Sequence, residues 1–389
     1  MLPASLGAAI DHAVDRESPA LKKLCEDIHA NPELRFEEVK ASAWVSELLA
    51  ARGFEVLRGL GGMPTSFSAR AGKKGGPRVA VLAEYDALPE IGHACGHNLI
   101  ATGAVGAFLA AAAVAEEAGG EVLLLGTPAE EGGGGKIKMI DAGCFEGLDA
   151  AIMFHPFDRD ILAHPALASI WITFTFRGKP AHAAAAPHDG ASALTACLDT
   201  FRLVDGQRVH FRDGVRVHGF VTNGGQAVNI IPELASCEFA VRARDGKELA
   251  RVQAIVERCA RGAAMASGVT VDIVPRQGYR DMRNNLTLAR AFGAHLASRG
   301  RVAEEVTDKV GAGSTDMGDV SHVVPSIHPW LAICDVGESL CHEHRFAECA
   351  GSARGFATAL DAAKALAKTA VELLVDRDLR ASVRAEFQG

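Results

Sequence analysis

The chain has 389 residues, of which 48% are hydrophobic and 23% are charged, and its formal net charge is -8. A chain of this length can bury at least one large core and favours two domains. The acidic balance gives no electrostatic footprint for nucleic acid, so we expect no nucleic-acid partner.

The sequence predicts neither a secretory signal nor a membrane-spanning segment. Residues 1–20 lack a basic start followed by an apolar run, and helical spacing follows at residues 21–28 and 39–52. The alanine-rich stretch at residues 100–115 is too short and interrupted to span a bilayer. Nine cysteines without tandem spacing predict reduced thiols. We therefore expect a cytoplasmic protein with no membrane partner.

A strand-helix-strand unit follows. Short apolar runs at residues 78–84 and 121–126 have strand character and bracket a helix at residues 99–117. In α/β sheets, ligands gather beyond the carboxyl ends of the strands. The segments 85–98 and 127–135 leave the two strands at those ends, so we expect their polar side chains to converge.

From about residue 169 the pattern changes to a smaller inserted unit. The predicted order is strand 170–177, helix 190–204, strands 215–222 and 236–243, helix 246–267 and strand 270–275, which is the split βαβ arrangement. The chain then returns to the first unit with a helix at 286–298, a Gly-rich loop at 311–318 and a closing helix at 349–375. We predict domains at residues 1–168 with 278–389, and at 169–277.

Four separated segments carry metal-ligand residue types. In Gly-His-Ala-Cys-Gly-His, residues 92–97, the side chains of His93, Cys95 and His97 would project to one side if the segment is extended. A thiolate and imidazoles there could share one ion. The other segments are Glu130-Glu131 before four glycines, Phe154-His155-Pro156, and Cys341-His342-Glu343-His344. A buried free cysteine beside ordinary histidines is the alternative, and the four segments together favour a metal site.

The ordered motifs of the chain resemble a known family. They are His29–Leu34, Ala83–Pro89, Gly92–Asn98, Pro128–Gly132, Gly178–Ala183, Asn229–Pro232 and Gly313–Asp316. Together they resemble the dinuclear metallohydrolases (peptidase clan MH) that include aminoacylases and carboxypeptidase G, over about residues 29–351. Residues 93–100 and the Gly-Ser-Thr-Asp loop are most similar to the branch of aminobenzoyl-glutamate hydrolase and the β-alanyl-lysine type dipeptidases.

The resemblance implies a fold and a metal centre. The expected fold is α/β: a catalytic α/β/α sandwich with a mixed sheet, plus an inserted α+β (βαββαβ) lid and dimerisation domain. Two divalent ions, Zn or Mn with Co or Ni also possible, would be held by five side chains, Cys95 as a bridge, His97, Glu131, His155 and His342. His342 is preferred over His344 because it stands four residues before Phe346, while His93 would support the site without binding metal.

The paired acids suggest the chemistry. A bound ion lowers the pKa of a water molecule towards ~7, and a nearby carboxylate that is not a ligand can accept its proton. Glu130 is predicted as that base and Glu131 as the ligand, whereas a solvated acidic loop is the alternative. Asp86 could orient a ligand histidine or cap a turn. A zincin and a P-loop are excluded, because His342 has no histidine four positions later and Lys136 is followed by Ile137.

Two residues of the inserted unit complete the predicted site. By the resemblance, His182 donates a hydrogen bond to the tetrahedral oxyanion, commonly in the active site of the partner subunit, which implies a homodimer through the inserted domain. Asn229 resembles a substrate-binding position. A surface histidine and a simple turn residue are the alternatives, and His164 and His328 are predicted to be structural or exposed.

These features together predict a metal-dependent amidohydrolase or peptidase. Its small-molecule substrate would be an N-acyl amino acid, a dipeptide or an aminobenzoyl-glutamate-like conjugate, with Glu130 as general base. One alternative is hydrolysis of another C-N bond at the same site, by aryl amine deamination or carbamoyl cleavage. The other is a non-catalytic regulatory or carrier protein.

Overall fold

The computed structural model describes residues 1–306 and 312–389, and Gly311, the first residue of the predicted Gly-rich loop, lies outside them. The chain forms two compact units, residues 1–165 with 282–389, and residues 166–281. The second unit is thus inserted into the first.

Strands and helices alternate through most of the described chain. The strands are β1 (Val56–Arg58), β2 (Phe67–Gly72), β3 (Arg78–Ala83), β4 (Glu121–Gly126), β5 (Ala150–Ile152), β6 (His155–Phe157), β7 (Ala168–Arg177), β8 (Arg216–Asn223), β9 (Leu234–Ala243), β10 (Thr270–Arg276), β11 (Ser326–Ile327) and β12 (Trp330–Ala332). The helices are α1 (Ala4–Ala30), α2 (Val39–Ala51), α3 (His97–Ala118), α4 (Gly135–Asp141), α5 (Ala193–Gln207), α6 (Gly246–Ala266), α7 (Leu286–Ala297), α8 (Met317–Ser321), α9 (His344–Ala350), α10 (Ala353–Val375) and α11 (Arg377–Gln388).

The first unit contains a mixed six-stranded sheet in the order β1-β2-β4-β3-β5-β11. Strands β4, β3, β5 and β11 are parallel neighbours, whereas β2 pairs antiparallel with β4 and with β1. Because β4 is buried along its whole length and β3 along all but its first residue, both read as continuous apolar runs. The predicted strand-helix-strand unit corresponds to β3, α3 and β4 and is confirmed.

Helix α3 forms the centre of the first unit's core. It packs against α1, α10 and strands β2, β3 and β4. With 22 residues, it is long and apolar enough to cross a membrane by length and composition alone, so the prediction that the stretch within it is too short was wrong. However, 89% of its most apolar 18-residue stretch is buried inside the protein. This is expected for a helix whose small alanine side chains let neighbouring elements approach closely.

The second unit has the predicted βαββαβ order. Its four strands form an antiparallel sheet in the order β10-β7-β9-β8. Alternate residues of β7, namely Ile172, Phe174 and Phe176, are buried in the same apolar cluster as Ala196 of α5 and Val252 of α6. One face of the sheet is therefore covered by the two helices. Together with the mixed sheet of the first unit, this confirms the predicted fold class.

The carboxyl-terminal region differs from its prediction. The expected single helix at residues 349–375 is interrupted, because α9 ends at Ala350 and α10 begins only after Ser352, whose hydroxyl accepts a hydrogen bond from the Gly355 N–H. A Cβ at Gly351 would lie 2.6 Å from the His29 ring, so the chain turns where only glycine fits. A further helix, α11, follows the predicted one.

Glu38 fixes the loop that follows β4. Its Oε1 accepts hydrogen bonds from the N–H groups of Phe36 and Ala129, and its Oε2 accepts one from the Thr65 hydroxyl. Ala129 has φ +62°, a left-handed conformation that costs free energy for any residue with a Cβ. The buried carboxylate therefore holds a strained residue directly before the acid pair at 130–131.

This carboxylate should make stability depend on pH. Burial raises the pKa of Glu38 from 4.5 to about 7. Since the folded state then binds the proton more tightly than the unfolded state, the free energy of unfolding falls as pH rises from about 4.5 to about 7, by at most about 3 kcal/mol. In Glu38→Gln, Oε1 keeps both N–H donors and the amide can donate to Thr65, so the contribution of residue 38 to this pH dependence should disappear.

Chemical denaturation between pH 4.5 and 8 measures this difference. We expect wild type and Glu38→Gln to converge at low pH and the variant to be the more stable at pH 8. Glu37→Gln is the matched control, because its side chain is exposed on the neighbouring position. Parallel pH profiles of wild type and Glu38→Gln would contradict the prediction.

Candidate metal centre

The Gly-His-Ala-Cys-Gly-His segment is a turn and not an extended strand, so the predicted alternation was wrong. Gly96 adopts φ +74° and His97 is the first residue of α3. A Cβ at Gly96 would lie 2.8 Å from Pro156 Cγ, which shows how closely this turn approaches β6. The turn brings Cys95 beside His155, an arrangement that an extended segment would not give.

His93 points away from this cluster. Its Nε2 lies 3.0 Å from the Ile28 carbonyl oxygen, and its ring stacks on His29 at a centroid distance of 6.3 Å. Burial lowers the pKa of His93 to about 3, so the imidazole is neutral. It links the ligand-rich turn to the end of α1.

Donor atoms of three predicted ligands meet near the carboxyl ends of β3 and β4. One donor atom each of Cys95, His97 and Glu131 lie within 4.8 Å of one another. Cys95 comes from the turn before α3, His97 is the first residue of that helix, and Glu131 comes from the loop after β4. The segments that leave the two neighbouring parallel strands therefore converge at one edge of the sheet.

A second group of donors shares Cys95 with the first. Donor atoms of Cys95, His155 and Cys341 also lie within 4.8 Å of one another. The thiol common to both groups is the residue predicted to bridge two ions. Cys341 was not among the predicted ligands, although it directly precedes His342 in one of the four ligand-rich segments of the sequence.

His342 belongs to neither group but lies close to the first. Its Nε2 is 3.8 Å from Glu131 Oε1, its side chain is 59% exposed, and its backbone has φ +72°. The His342 N–H donates to the Ala94 carbonyl at 2.9 Å, which ties this segment to the Cys95 turn. His344, the fallback ligand, is instead the first residue of α9 and has an exposed side chain.

Asp86 contacts two of the predicted ligands. Its Oδ1 is 3.0 Å from His97 Nδ1, and its Oδ2 accepts the Glu131 N–H at 2.9 Å. Burial alone would raise the pKa of Asp86, but the charge of His97 outweighs it and the net shift is downward. When an ion displaces the Nε2 proton, Asp86 can hold the remaining proton of His97 on Nδ1 and leave Nε2 as the donor atom for that ion.

Glu130 is a buried acid beside this cluster. Burial raises its pKa well above the ordinary value, and the charges of Glu131 and Glu84 raise it further. Its side chain is 9% exposed, and it belongs to neither donor group. A carboxylate with a raised pKa that is not itself among the clustered donors has the properties of a general base.

A buried triad of ionised side chains lies beside the predicted ligands. It was not predicted from the sequence. Lys136 Nζ lies 2.5 Å from Glu84 Oε1 and 2.6 Å from Asp316 Oδ1, and burial of all three is complete or nearly so. The two carboxylates raise the pKa of Lys136 although its burial opposes this. Glu84 Oε2 in turn lies 3.5 Å from His97 Nε2. The signal was present, since Glu84 and Asp316 stand inside two of the quoted motifs.

Two histidines predicted to be structural or exposed are buried near His155: His328 contacts its ring, and His164 contacts Trp330, which also contacts that ring. His328 meets the His155 ring edge-on at 5.4 Å, and His164 stacks on Trp330 at 3.7 Å. Burial lowers the pKa of His164 to about 4 and that of His328 well below its ordinary value. A neutral His328 ring therefore packs against His155, and both histidines are buried and belong to neither donor group.

The two predicted residues of the inserted unit lie side by side. His182 pairs with Ile230 as an isolated bridge, and the Ala183 N–H donates to the Asn229 carbonyl at 3.0 Å. His182 Nδ1 accepts the N–H groups of Ala184 and Ala185 at 3.2 and 3.1 Å. The ring proton is therefore on Nε2 of an exposed side chain, which leaves a free donor of the kind an oxyanion needs.

The donor chemistry of the first unit fits divalent cations. His97 Nε2, Glu131 Oε1 and Glu84 Oε2 are buried and have no hydrogen-bond partner among the described residues. Buried polar atoms are rarely left unpaired, because each costs about 1–3 kcal/mol. A thiol, imidazoles and carboxylates are ligands for Zn and for neighbouring transition metals. His155 fits as well, since its Nδ1 lies 2.7 Å from the Pro156 carbonyl oxygen and its Nε2 is left for an ion.

A cleft of about 590 Å³ opens beside the second donor group. Its lining includes Cys341 and His342, the aromatic rings of Phe157 and Trp330, and three charged side chains, Asp158, Arg159 and Glu343. The volume lies within the range of small-molecule sites. His342, one of the predicted ligands, thus lines a space large enough for a dipeptide.

Comparison with known proteins gives consistent matches over most of the chain. Residues 80–363 match the model of peptidase family M20/M25/M40. The Xaa-Arg dipeptidases of Mus musculus and Homo sapiens are 38% and 34% identical, each over 96% of this chain and 90% of its own length. One component of the p-aminobenzoyl-glutamate hydrolase of Escherichia coli is 30% identical over 97% of this chain and 94% of its own. The fold is similar to that of the YXEP protein of Bacillus subtilis, a dinuclear metal binding peptidase from the M20 family (TM-score 0.71, 21% identity, 92% of this chain and 99% of that one).

Proposed function

The chain belongs to peptidase family M20/M25/M40 and is a hydrolase of C-N bonds, and we propose that it cleaves dipeptides that end in a basic residue. The predicted resemblance and the prediction of an enzyme are both confirmed. The substrate is inferred from the first unit's cleft, together with the similarity to an Xaa-Arg dipeptidase along almost the whole chain.

We infer that two divalent ions complete the active site. Cys95 would contact both ions, with His97, Glu131, His155 and His342 as the other ligands. The two donor groups that share Cys95 and the unpaired buried atoms of His97 and Glu131 support this set. Bound there, the ions would polarise the scissile carbonyl and make a water molecule acidic enough to lose a proton near neutral pH.

Glu130 is proposed to move that proton. Its buried carboxylate would accept the proton as the water attacks the amide carbon, and would then pass the proton to the leaving amine. Burial and the neighbouring carboxylates raise the pKa of Glu130, which strengthens it as a base. Asp86 would act only through His97 and Glu131, as a positioning residue.

The inserted unit is proposed to supply the oxyanion donor and the dimer contact. His182 carries its ring proton on Nε2, because Nδ1 accepts two backbone N–H groups. This tautomer can donate to a carbonyl oxygen as negative charge develops on it. By the family resemblance, the donor would act in the active site of a partner subunit, so we propose a homodimer, with Asn229 in contact with substrate.

The charges of the cleft favour a cationic substrate side chain. Hydrogen bonds from Ser339 and Leu340 lower the pKa of Glu343 and keep it ionised. Asp158 also stays ionised, because the hydrogen bonds and charge of Arg159 outweigh its burial and lower its pKa. Two carboxylates and one guanidinium leave the cleft with a net negative charge, which attracts a basic side chain and repels the dicarboxylate of aminobenzoyl-glutamate.

A matched substrate pair tests this proposal. With protein purified without chelator and supplied with Zn or Mn, we expect alanyl-arginine to be cleaved at least about tenfold more efficiently than alanyl-citrulline, which has nearly the same shape but no charge. Glu343→Gln should narrow that ratio by raising KM for the arginine dipeptide alone. Elemental analysis should find close to two ions per chain.

Other outcomes would redirect the proposal. Preference for aminobenzoyl-glutamate or N-acetyl amino acids would keep the enzyme class and overturn the basic substrate. Cleavage of carbamoyl or aryl amine compounds alone would show that the site hydrolyses a C-N bond other than an amide of a dipeptide. A fully active protein without bound metal would overturn the metal-dependent mechanism.

A further inference from the structure

Cys341 is a thiol that lies among the proposed ligands. Its Sγ lies within 4.8 Å of the donor atoms of Cys95 and His155. It also packs against the apolar core of the first unit and approaches the Pro156 carbonyl oxygen at 4.0 Å, the long limit for a sulfur hydrogen bond. The side chain is half-buried and lines the cleft, whereas most of the other cysteines are buried.

The backbone holds this thiol in place. The His342 N–H donates to the Ala94 carbonyl, so the segment that carries Cys341 is fastened to the turn that carries Cys95. His342 itself adopts φ +72°, an unfavourable conformation for a residue with a Cβ. Strain of this kind persists only where surrounding contacts impose it, and it is concentrated at functional sites.

We propose that Cys341 is a metal ligand in addition to the five predicted ones, so that the centre contains two thiolates. This inference rests on the metal centre of the proposed function. Thiolates favour thiophilic ions such as Zn²⁺, Co²⁺ and Cd²⁺ over Mn²⁺, which prefers oxygen and nitrogen ligands. The second thiolate would therefore decide which metal the protein selects.

Substitution with Co²⁺ tests the proposal independently of activity. Bonds between Co²⁺ and thiolate sulfur give charge-transfer absorption in the near ultraviolet, and its intensity rises with the number of such bonds. If Cys95 contacts two ions and Cys341 contacts one, Cys341→Ser should lose about one third of this absorption, because serine oxygen gives no such band. Cys144→Ser is the matched control, since Cys144 is also half-buried but lines a different cleft of the first unit.

Metal affinity gives a second expected result. Loss of a contact that only orients a ligand costs about 10- to 100-fold in affinity, so Cys341→Ser should weaken Cd²⁺ and Zn²⁺ binding by at least about tenfold. Mn²⁺ binding should change by much less. A thermal unfolding comparison of the metal-free proteins shows whether the variant is folded.

The wild-type protein provides a test without substitution. Cys341 is partly accessible, so a thiol-alkylating reagent should modify it in the metal-free protein, and peptide mass spectrometry should locate the label. Zn²⁺ should protect Cys341 and leave the labelling of Cys144 unchanged. Equal labelling of Cys341 with and without Zn²⁺ would overturn the proposal.

The outcomes separate this inference from the proposed function. Two Co²⁺ ions bound by both wild type and Cys341→Ser with the same absorption would leave the metal centre standing and reduce Cys341 to a packing neighbour. No Co²⁺, Zn²⁺ or Mn²⁺ bound by the wild type would instead reject the metal centre itself.

Discussion

Glu130→Gln is expected to lower kcat by about 10³-fold while the protein keeps its metal ions. General acid-base catalysis contributes about 10²- to 10⁴-fold, and an amide of nearly the same shape cannot accept a proton. Because Glu130 is not in either group of clustered donors, its replacement should leave the ligands in place. Steady-state kinetics and elemental analysis of the same preparation measure the two effects together.

The adjacent acid supplies the contrast. Glu131→Gln should lose metal as well as activity, because Glu131 is the clustered donor and Glu130 is not. Glu47→Gln, on the exposed surface of α2, should change neither. If Glu130→Gln lost metal and Glu131→Gln kept it, the two roles would have to be exchanged, and full activity of Glu130→Gln would remove the proposed base.

Asp86→Asn is expected to weaken metal binding by about 10- to 100-fold. Contacts that orient a metal ligand are each worth about 10- to 100-fold in affinity, and Asp86 makes two of them, one to His97 and one to the Glu131 N–H. An asparagine has one carbonyl oxygen, so one of these donors would face an amide N–H instead of an acceptor. Competition with a chromophoric chelator measures the affinity.

Thermal unfolding with and without Zn²⁺ distinguishes a positioning role of Asp86 from a purely structural role. The metal-free variant should unfold at a temperature close to that of metal-free wild type, while the stabilisation that added Zn²⁺ provides should shrink. Asp149→Asn is the control, because Asp149 also accepts a backbone N–H, that of Arg78, in the same unit. Unchanged affinity in Asp86→Asn would show that His97 and Glu131 hold their positions without it.

The sequence predicted those parts of the protein that have a regular pattern. Strands β3 and β4 are continuous apolar runs, and α3 lies between them, so the edge at which their loops meet could be located before the structure was known. The inserted unit was predicted from a different regular pattern, since the residues of β7 and β9 mostly alternate between buried and half-buried positions.

Local backbone geometry escaped prediction. The turn around Gly96 and the left-handed conformations of Ala129 and His342 follow from tertiary contacts with Pro156, Glu38 and Ala94, which no local pattern encodes. Short strands such as β6 and β12 carry too few residues to show a period. Cys341 and Lys136 were missed because their significance lies in neighbours that are distant along the chain.

The crowding of acids around the site has a consequence for how a newly made chain matures. Five carboxylates lie buried or nearly so within one region of the first unit, those of Glu84, Asp86, Glu130, Glu131 and Asp316, and among the described residues Lys136 is the only lysine buried with them. Like charges withdrawn from water repel one another, so this repulsion destabilises the folded chain when no cations are bound. Cations that bind only the folded chain shift the equilibrium towards it. We therefore expect cellular metal supply to set how much of the protein survives proteolysis, and not only how fast each molecule turns over.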